Sequence, residues 1–319
     1  MNEPASSTRP VLWTTLRPVN SDSEELRRAL SKLRKEDASF RVDEEDVDGQ
    51  TVIRVMSELQ LENICERLAR EHNVYVDCRK PEIIYLETIR DISTAEGKFI
   101  NQSGGRGHYA HLVIRIEPNP TKEYEVVNEM PEQAIPKKYV LPAEQGIGYA
   151  MKAGVVAGYE TVDVKVILCD GSYHDIDSDE EAFESAGFIA MWEALRQANP
   201  VLLEPLMSLE VVVPEEWAGS VLGDLQGRGA EITGMESRAG EMVVHAIVRL
   251  AVIIGYSTDL REMTQERATC SVALLRYTEA QGLPSAGDDR IGVTANKPWK
   301  PKPKRGTAAV EPPLPESDT

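Results

Sequence analysis

Gly97-Lys98-Phe99-Ile100-Asn101-Gln102-Ser103-Gly104-Gly105-Arg106-Gly107-His108-Tyr109-Ala110-His111 leads directly into Leu112-Val113-Ile114-Arg115-Ile116-Glu117. The second half alternates apolar and other residues with a period of two, which predicts a half-buried strand over His111–Glu117. The first half predicts a short strand at Lys98–Ile100 and then a turn. Gly104, Gly105 and Gly107 relax the backbone there, and Ser103 and Arg106 add side-chain donors. A small cationic loop on a strand suits contact with a phosphate backbone better than it suits chemistry. The competing reading is that these glycines do no more than permit a tight hairpin.

On either side of this region the same element order occurs. From Val11 to about Pro81 the pattern predicts strand, helix, strand, strand, helix, strand. A strand at Val11–Pro18 is followed by a helix capped by Asn20 or Ser21 and ending near Asp37, with Leu26, Leu30 and Leu33 at helical spacing. Phe40–Val47 and Gln50–Met56 form a hairpin around Asp48-Gly49. A helix over Glu58–His72, with Leu59, Ile64 and Leu68 inward, precedes a strand at Val74–Cys78. The order returns from Leu209–Val213 through a helix opened by Pro214 to Leu225 and stopped by Gly227 and Gly229. Paired strands Ala230–Met235 and Met242–Leu250, a helix through Leu260–Met263 and a strand Cys270–Tyr277 complete it. Two βαββαβ units are the ferredoxin-like arrangement. Between them, strands at Tyr124–Val127 and Val162–Leu168 and helices over Tyr139–Ala153 and Ser178–Asn199 mark a third kind of unit.

The 319 residues are 41% hydrophobic and 6% aromatic, which suits an ordinary soluble chain of two or three domains. No apolar run reaches the 18 or so residues that span a bilayer, and Met1-Asn2-Glu3-Pro4 lacks the start of a signal peptide, so the expected location is cytoplasmic. Cys65, Cys78, Cys169 and Cys270 are widely spaced without a Cys-x-x-Cys pair, and are expected as reduced thiols. A formal net charge of −18 repels free nucleic acid in the mean, though it leaves local basic contacts open. DNA and membranes are not expected partners. The segment after Gly282 is rich in Pro, Gly, Lys and Ala and is expected to be disordered. Its Lys297, Lys300, Lys302, Lys304 and Arg305 form a basic stretch that could touch RNA, with a solubilising tail as the blander reading.

No chemistry is legible. The chain has no Gly-x-x-x-x-Gly-Lys-Ser/Thr phosphate loop, no His-Glu-x-x-His, and no serine or cysteine in a nucleophile context. Asp170, Asp175, Asp177, Asp179, Glu180 and Glu181 read as an acid-enriched helix start, which the helix dipole favours. No catalytic residue, metal ligand or cofactor is therefore expected.

Several longer motifs carry a resemblance. Ala29-Leu30-Ser31-Lys32-Leu33 with Glu36-Asp37-Ala38-Ser39-Phe40-Arg41-Val42, then Glu58-Leu59-Gln60-Leu61-Glu62, are similar to the third domain of bacterial elongation factor G. The glycine-rich stretch quoted first, Val162–Val166 through Asp170–Ser178, and Pro200–Pro205 resemble its fourth domain. Ile254–Arg261 with Thr264-Gln265 resembles its fifth. The resemblance runs from about Pro10 to Tyr277 in one order. It implies an α+β chain with two ferredoxin-like domains, at 10–86 and 208–281, flanking a ribosomal-protein-S5-domain-2-like α/β domain at 87–207. Residues 1–9 and 282–319 would be flexible ends.

The resemblance further implies docking at the ribosomal A site, on rRNA and ribosomal proteins, with the fourth domain imitating a tRNA anticodon arm. Its tip loops would be Ser103–Gly107 and Gly171–Ser178, with contacts from Ser103, Gly104, Gly105, Arg106, Gly107, His108, Ser172, Tyr173 and His174. The sequence departs from the family in two places. Gly-Met-Gly-Glu-Leu-His-Leu-Glu reads Val55-Met56-Ser57-Glu58-Leu59-Gln60-Leu61-Glu62, and Thr-Gln-Gly-Arg reads Thr264-Gln265-Glu266-Arg267. Both suggest relaxed coupling to a GTPase, and no GTPase is expected in this chain. The leading expectation is a GTPase-lacking factor that modulates translation. The alternatives are half of a split translocase with its GTPase in trans, or a protein-interaction module that has left the ribosome.

Overall fold

The computed structural model describes residues 9–43, 50–101, 107–238 and 240–281. In the first unit β1 (Leu12–Pro18), α1 (Ser23–Glu36), β2 (Arg41–Val42), β3 (Thr51–Val55), α2 (Glu58–His72) and β4 (Val76–Cys78) follow one another. The antiparallel sheet has the order β2-β3-β1-β4, the ferredoxin-like order, and β5 (Glu82–Ile83) pairs with the start of β1. Leu26, Leu30 and Leu33 are buried against the sheet as their spacing requires, each worth about 2 kcal/mol by leaving water. The expected Asp48-Gly49 turn lies outside the described residues.

Two details differ from the sequence reading. Asp22 caps α1, accepting from the Glu25 amide, whereas Asn20 ties β1 to the far side of the unit. The Asn20 side chain donates to the Asn73 carbonyl at 2.8 Å and accepts from the Tyr75 amide at 2.8 Å. In α2 the inward residue of the first turn is Leu61, while Leu59 is 53% exposed. Ser57 and Gln60, which replace a glycine and a histidine of the family pattern, form the start of that helix. The Ser57 hydroxyl accepts from the Gln60 amide at 3.2 Å, and the Gln60 carbonyl oxygen accepts from the Met56 amide at 2.7 Å. The departure thus supplies a helix cap.

The middle unit comprises β6 (Leu86–Ile89), β7 (Ser93–Asn101), β8 (His108–Pro118), β9 (Tyr124–Asn128), α3 (Val140–Ala153), β10 (Val164–Ser172) and α4 (Glu180–Gln197). Its sheet runs β7-β8-β10-β9, with β9 and β10 parallel across the α3 crossover. Ala110, Leu112, Ile114 and Ile116 alternate inward along β8, as the sequence predicts. α4 lies so close to β7 that a Cβ at Gly97 would sit 2.0 Å from the Ala186 carbonyl oxygen. The first glycine of the quoted stretch therefore makes room for a helix.

The third unit begins with β11 (Pro200–Pro214), a single 15-residue strand. Sequence reading split this strand into an exit segment and a strand at Leu209. The strand is continuous because both halves find ladders: Pro200–Leu203 pairs with β6, and the remainder pairs with later strands. These are β12 (Glu231–Arg238), β13 (Glu241–Arg249) and β14 (Thr269–Glu279), in the order β12-β13-β11-β14. α5 (Glu215–Gly227) and α6 (Tyr256–Met263) complete the second ferredoxin-like unit.

Two carboxylates anchor elements that are far apart in sequence. Glu58, at the start of α2, accepts from the Gly255 amide at 2.7 Å, and its burial raises the carboxyl pKa. Glu87 is completely buried, and its carboxylate accepts from the backbone amides of Val155, Val156, Ala157 and Tyr159 at 2.6–3.1 Å. Gly154, at φ +59°, opens that turn, where a Cβ would lie 2.0 Å from the Tyr159 carbonyl oxygen.

Removing the Glu87 anchor tests its weight. Glu87→Ala leaves four buried donors unpaired and should cost at least about 3 kcal/mol, read as a fall in the denaturant midpoint. Glu266 has φ +63° at the position where the family pattern has glycine. Glu266→Gly should therefore raise stability by about 1 kcal/mol in the same assay, and a lower midpoint would contradict the strain.

Candidate nucleic-acid interface

The end of the middle unit away from Glu87 is built by the end of β7, the start of β8 and the segment joining β10 to α4. Residues 102–106, including Ser103, Gly104, Gly105 and Arg106, lie outside the described residues, as do Lys297, Lys300, Lys302, Lys304 and Arg305. The remaining expected contact residues, Gly107, His108, Ser172, Tyr173 and His174, come together around a cavity of about 310 Å3. Ile100, Tyr109 and Asp177 complete its lining.

Side chains the sequence reading had not singled out hold this surface in place. Ser178 is 2% exposed, and its hydroxyl donates to the Tyr109 carbonyl at 2.7 Å while accepting from the His174 amide at 2.9 Å. The Tyr109 amide donates to the Asp177 carbonyl at 2.8 Å, and the Tyr139 hydroxyl donates to the Ser178 carbonyl at 2.9 Å. The segment 172–178 is therefore pinned to β8 by both main chain and side chain. Asp179 then caps α4 by accepting from the Ala182 amide at 2.8 Å, with Glu180 and Glu181 in the first turn. Asp179, Glu180 and Glu181 form the expected helix start, whereas Asp170 lies in β10 and Asp175 and Asp177 lie in the segment before the cap.

Each histidine of this end faces a carboxylate. His108 Nδ1 is 2.5 Å from Asp179 Oδ2, His111 Nε2 is 3.1 Å from Glu96 Oε2, and His174 Nδ1 is 3.2 Å from Asp177 Oδ2. A second link runs from His111 Nδ1 to the Ser172 hydroxyl at 3.3 Å and on to the Tyr109 hydroxyl at 2.9 Å. His174 Nδ1 also accepts from the Ile176 and Asp177 amides at 3.4 and 3.3 Å.

Apolar groups stand out from the same end. Ile176 is 67% exposed, Ile100 53% and Tyr173 41%. One exposed aromatic ring flanked by aliphatic groups and held histidines suits stacking and edge contacts with unpaired bases. Among the described residues no group of three or more His, Cys, Asp or Glu side chains is placed to hold a metal.

Comparison with known proteins adds three family matches in one order. The family described as Elongation Factor G, domain III matches residues 8–80. Elongation factor G, domain IV matches 81–199, and Elongation factor G C-terminus matches 201–286. Among solved structures, a crystal structure of a protein from Thermus thermophilus matches with a TM-score of 0.66 and 36% identity. The match covers 85% of this chain and 41% of that one. The chain thus spans less than half the length of that relative. No helix among the described residues is long and apolar enough to cross a membrane.

Ser178→Ala should loosen the loop over Tyr173–Asp177 and cost about 1–3 kcal/mol locally. Faster hydrogen exchange at the His174 amide would report it, and unchanged protection there would show that the hydroxyl is dispensable.

Proposed function

Because the chain belongs to the elongation factor G family and carries its domain III, domain IV and C-terminal matches in unbroken order, we propose that it is a ribosome-binding translation factor. In this reading the tip of the middle unit enters the decoding region near the A site and modulates translation from the cytoplasm. The observation that carries the reading is the described half of that tip. Ser172, Tyr173, His174 and His108 line one cavity, and Ser178 and Asp179 hold its frame.

The physical division of labour is simple. Tyr173 offers a ring face to a base, His174 offers a ring nitrogen to a base edge or phosphate, and Gly107 lets backbone approach closely. Arg106, on sequence grounds, supplies the forked charge-assisted contact to phosphate. The surrounding carboxylates keep the net field negative, so binding rests on shape and a few local contacts rather than on bulk attraction.

These 319 residues contain no phosphate loop, so the role assigned to them is binding, not nucleotide hydrolysis. Occupancy then follows affinity, unless a GTPase supplied in trans or elsewhere in a longer protein drives release.

The test is co-sedimentation with whole bacterial ribosomes and with isolated small subunits across a salt series. Binding should weaken as salt rises, and Arg106→Ala should reduce affinity by about 1–3 kcal/mol, with Tyr173→Ala reducing it by about as much. Binding that ignores both substitutions would remove the tip from the contact. Absence of binding to either particle at low salt would overturn the ribosomal reading.

A further inference from the structure

The tip has a third element besides the glycine-rich stretch and the segment joining β10 to α4. The crossover from β9 to α3 packs against that segment at two points. A Cβ at Gly171 would lie 2.9 Å from Ile135 Cγ2, and the Tyr139 hydroxyl donates to the Ser178 carbonyl at 2.9 Å. Ile135 and Tyr139 are both buried, and the Tyr139 ring stacks on Phe183 of α4 with centroids 4.7 Å apart. Between these two anchors Lys137 and Lys138 stand exposed, on a turn of 3-10 helix that runs directly into α3.

The fold gains little from these two charges. A helix dipole disfavours cations at a helix start, and α1, α2, α4, α5 and α6 all carry acids in their first turns. The start of α3 carries none. Lys138 Nζ lies 4.7 Å from the centroid of the Tyr139 ring, a contact that orders its stem and leaves the ammonium at the surface. No carboxylate pairs with either lysine among the described residues. Two unpaired cations therefore stand where they weaken the helix, beside the surface that Tyr173 and His174 form.

We propose that Lys137 and Lys138 bind phosphates of ribosomal RNA as a third contact of the tip. This rests on the ribosomal reading above and adds a contact that neither tip segment supplies. An ammonium is a compact charge with three donors on a flexible stem, which suits a phosphate oxygen better than a base edge. Successive residues of a 3-10 turn project about 120° apart, so the two lysines meet different phosphates. Asp175, Glu180 and Glu181 belong to the segment entering α4 and to its first turn. The crossover thus gives an otherwise acidic end one cationic flank, and that flank sets the side from which RNA approaches.

The experiment is co-sedimentation of the full chain with isolated bacterial small subunits across a salt series. Replacing both lysines, Lys137→Ala with Lys138→Ala, should weaken binding roughly tenfold. It should also lower the slope of log affinity against log salt by about 0.7–0.9 per lysine. Lys152→Ala, in the exposed last turn of the same helix, should change neither quantity. Lys137→Glu separates contact from fold: the dipole should hold its melting temperature at or above that of the wild type, while binding falls. It leaves Lys138 on the Tyr139 ring, so it decides the matter even where the double variant loses stability. Wild-type binding with an unchanged slope in the lysine variants would overturn the proposal and leave the ribosomal reading standing. An equal loss in Lys152→Ala would overturn it too, because the effect would then be one of bulk charge. A wild-type chain that binds no small subunit at low salt would remove the proposal together with the reading beneath it.

Discussion

A fully buried carboxyl group organises this molecule. Glu87 lies in β6, where a bare buried charge would cost several kcal/mol, and only a fixed array of donors makes its position tenable. The array is the backbone of Val155, Val156, Ala157 and Tyr159, folded into a concave turn after Gly154. One residue thereby fixes the exit of α3, the entry of β10 and the strand that joins the first unit to the middle one. The Glu87 amide and carbonyl extend the lock, bonding Glu160 and Val162. Tyr159, the last residue of the turn, packs its ring 5.4 Å from that of Tyr85, so the lock reaches into the cluster beneath the first sheet. The tip at the far end of the middle unit can be shaped by short hydrogen bonds because the base of that unit is held.

Much of this architecture was legible in the chain, and the failures have local causes. The boundaries of α2 were readable because Ser57 before a periodic run and Asn73 after it are strong end signals, and Asn73 indeed adopts φ +54°. The inward face of that helix was misread at Leu59 because helical spacing allows either Leu59 or Leu61, and only the sheet's position chooses. Asn20 is as good a cap as Asp22 in isolation; its partners at Asn73 and Tyr75 lie more than fifty residues away. β11 was divided because Pro200 and Pro205 look like strand breakers. Pro200 occupies the first position of the strand, where a missing amide is tolerated. Glu87 was invisible for a stronger reason. Its partners are backbone groups, and backbone donors leave no mark in a sequence.

The candidate interface was legible in outline and opaque in mechanism. Glycine-rich and acidic segments pointed to the two sides of the tip. They could not reveal that Ser178 bridges the sides or that each histidine faces a carboxylate. Nor did any apolar pattern mark Ile100 and Ile176 as exposed, yet they stand in solvent at the same end as Tyr173. Exposed apolar groups on a rigid frame are costly to a free protein, and their presence fits a surface that is covered in use.

The unbroken run of β11 has a mechanical meaning. Its first residues are laddered to β6 of the middle unit, and its remaining length is laddered to β13 and β14. A push on the tip, resisted at the third sheet, loads these ladders lengthwise. Hydrogen bonds stressed in that direction share the load and yield together, whereas a peeled hairpin opens one pair at a time. The strand works as a tie rod: displacement at one end of the chain arrives at the other as a rigid movement, with little lost to bending between.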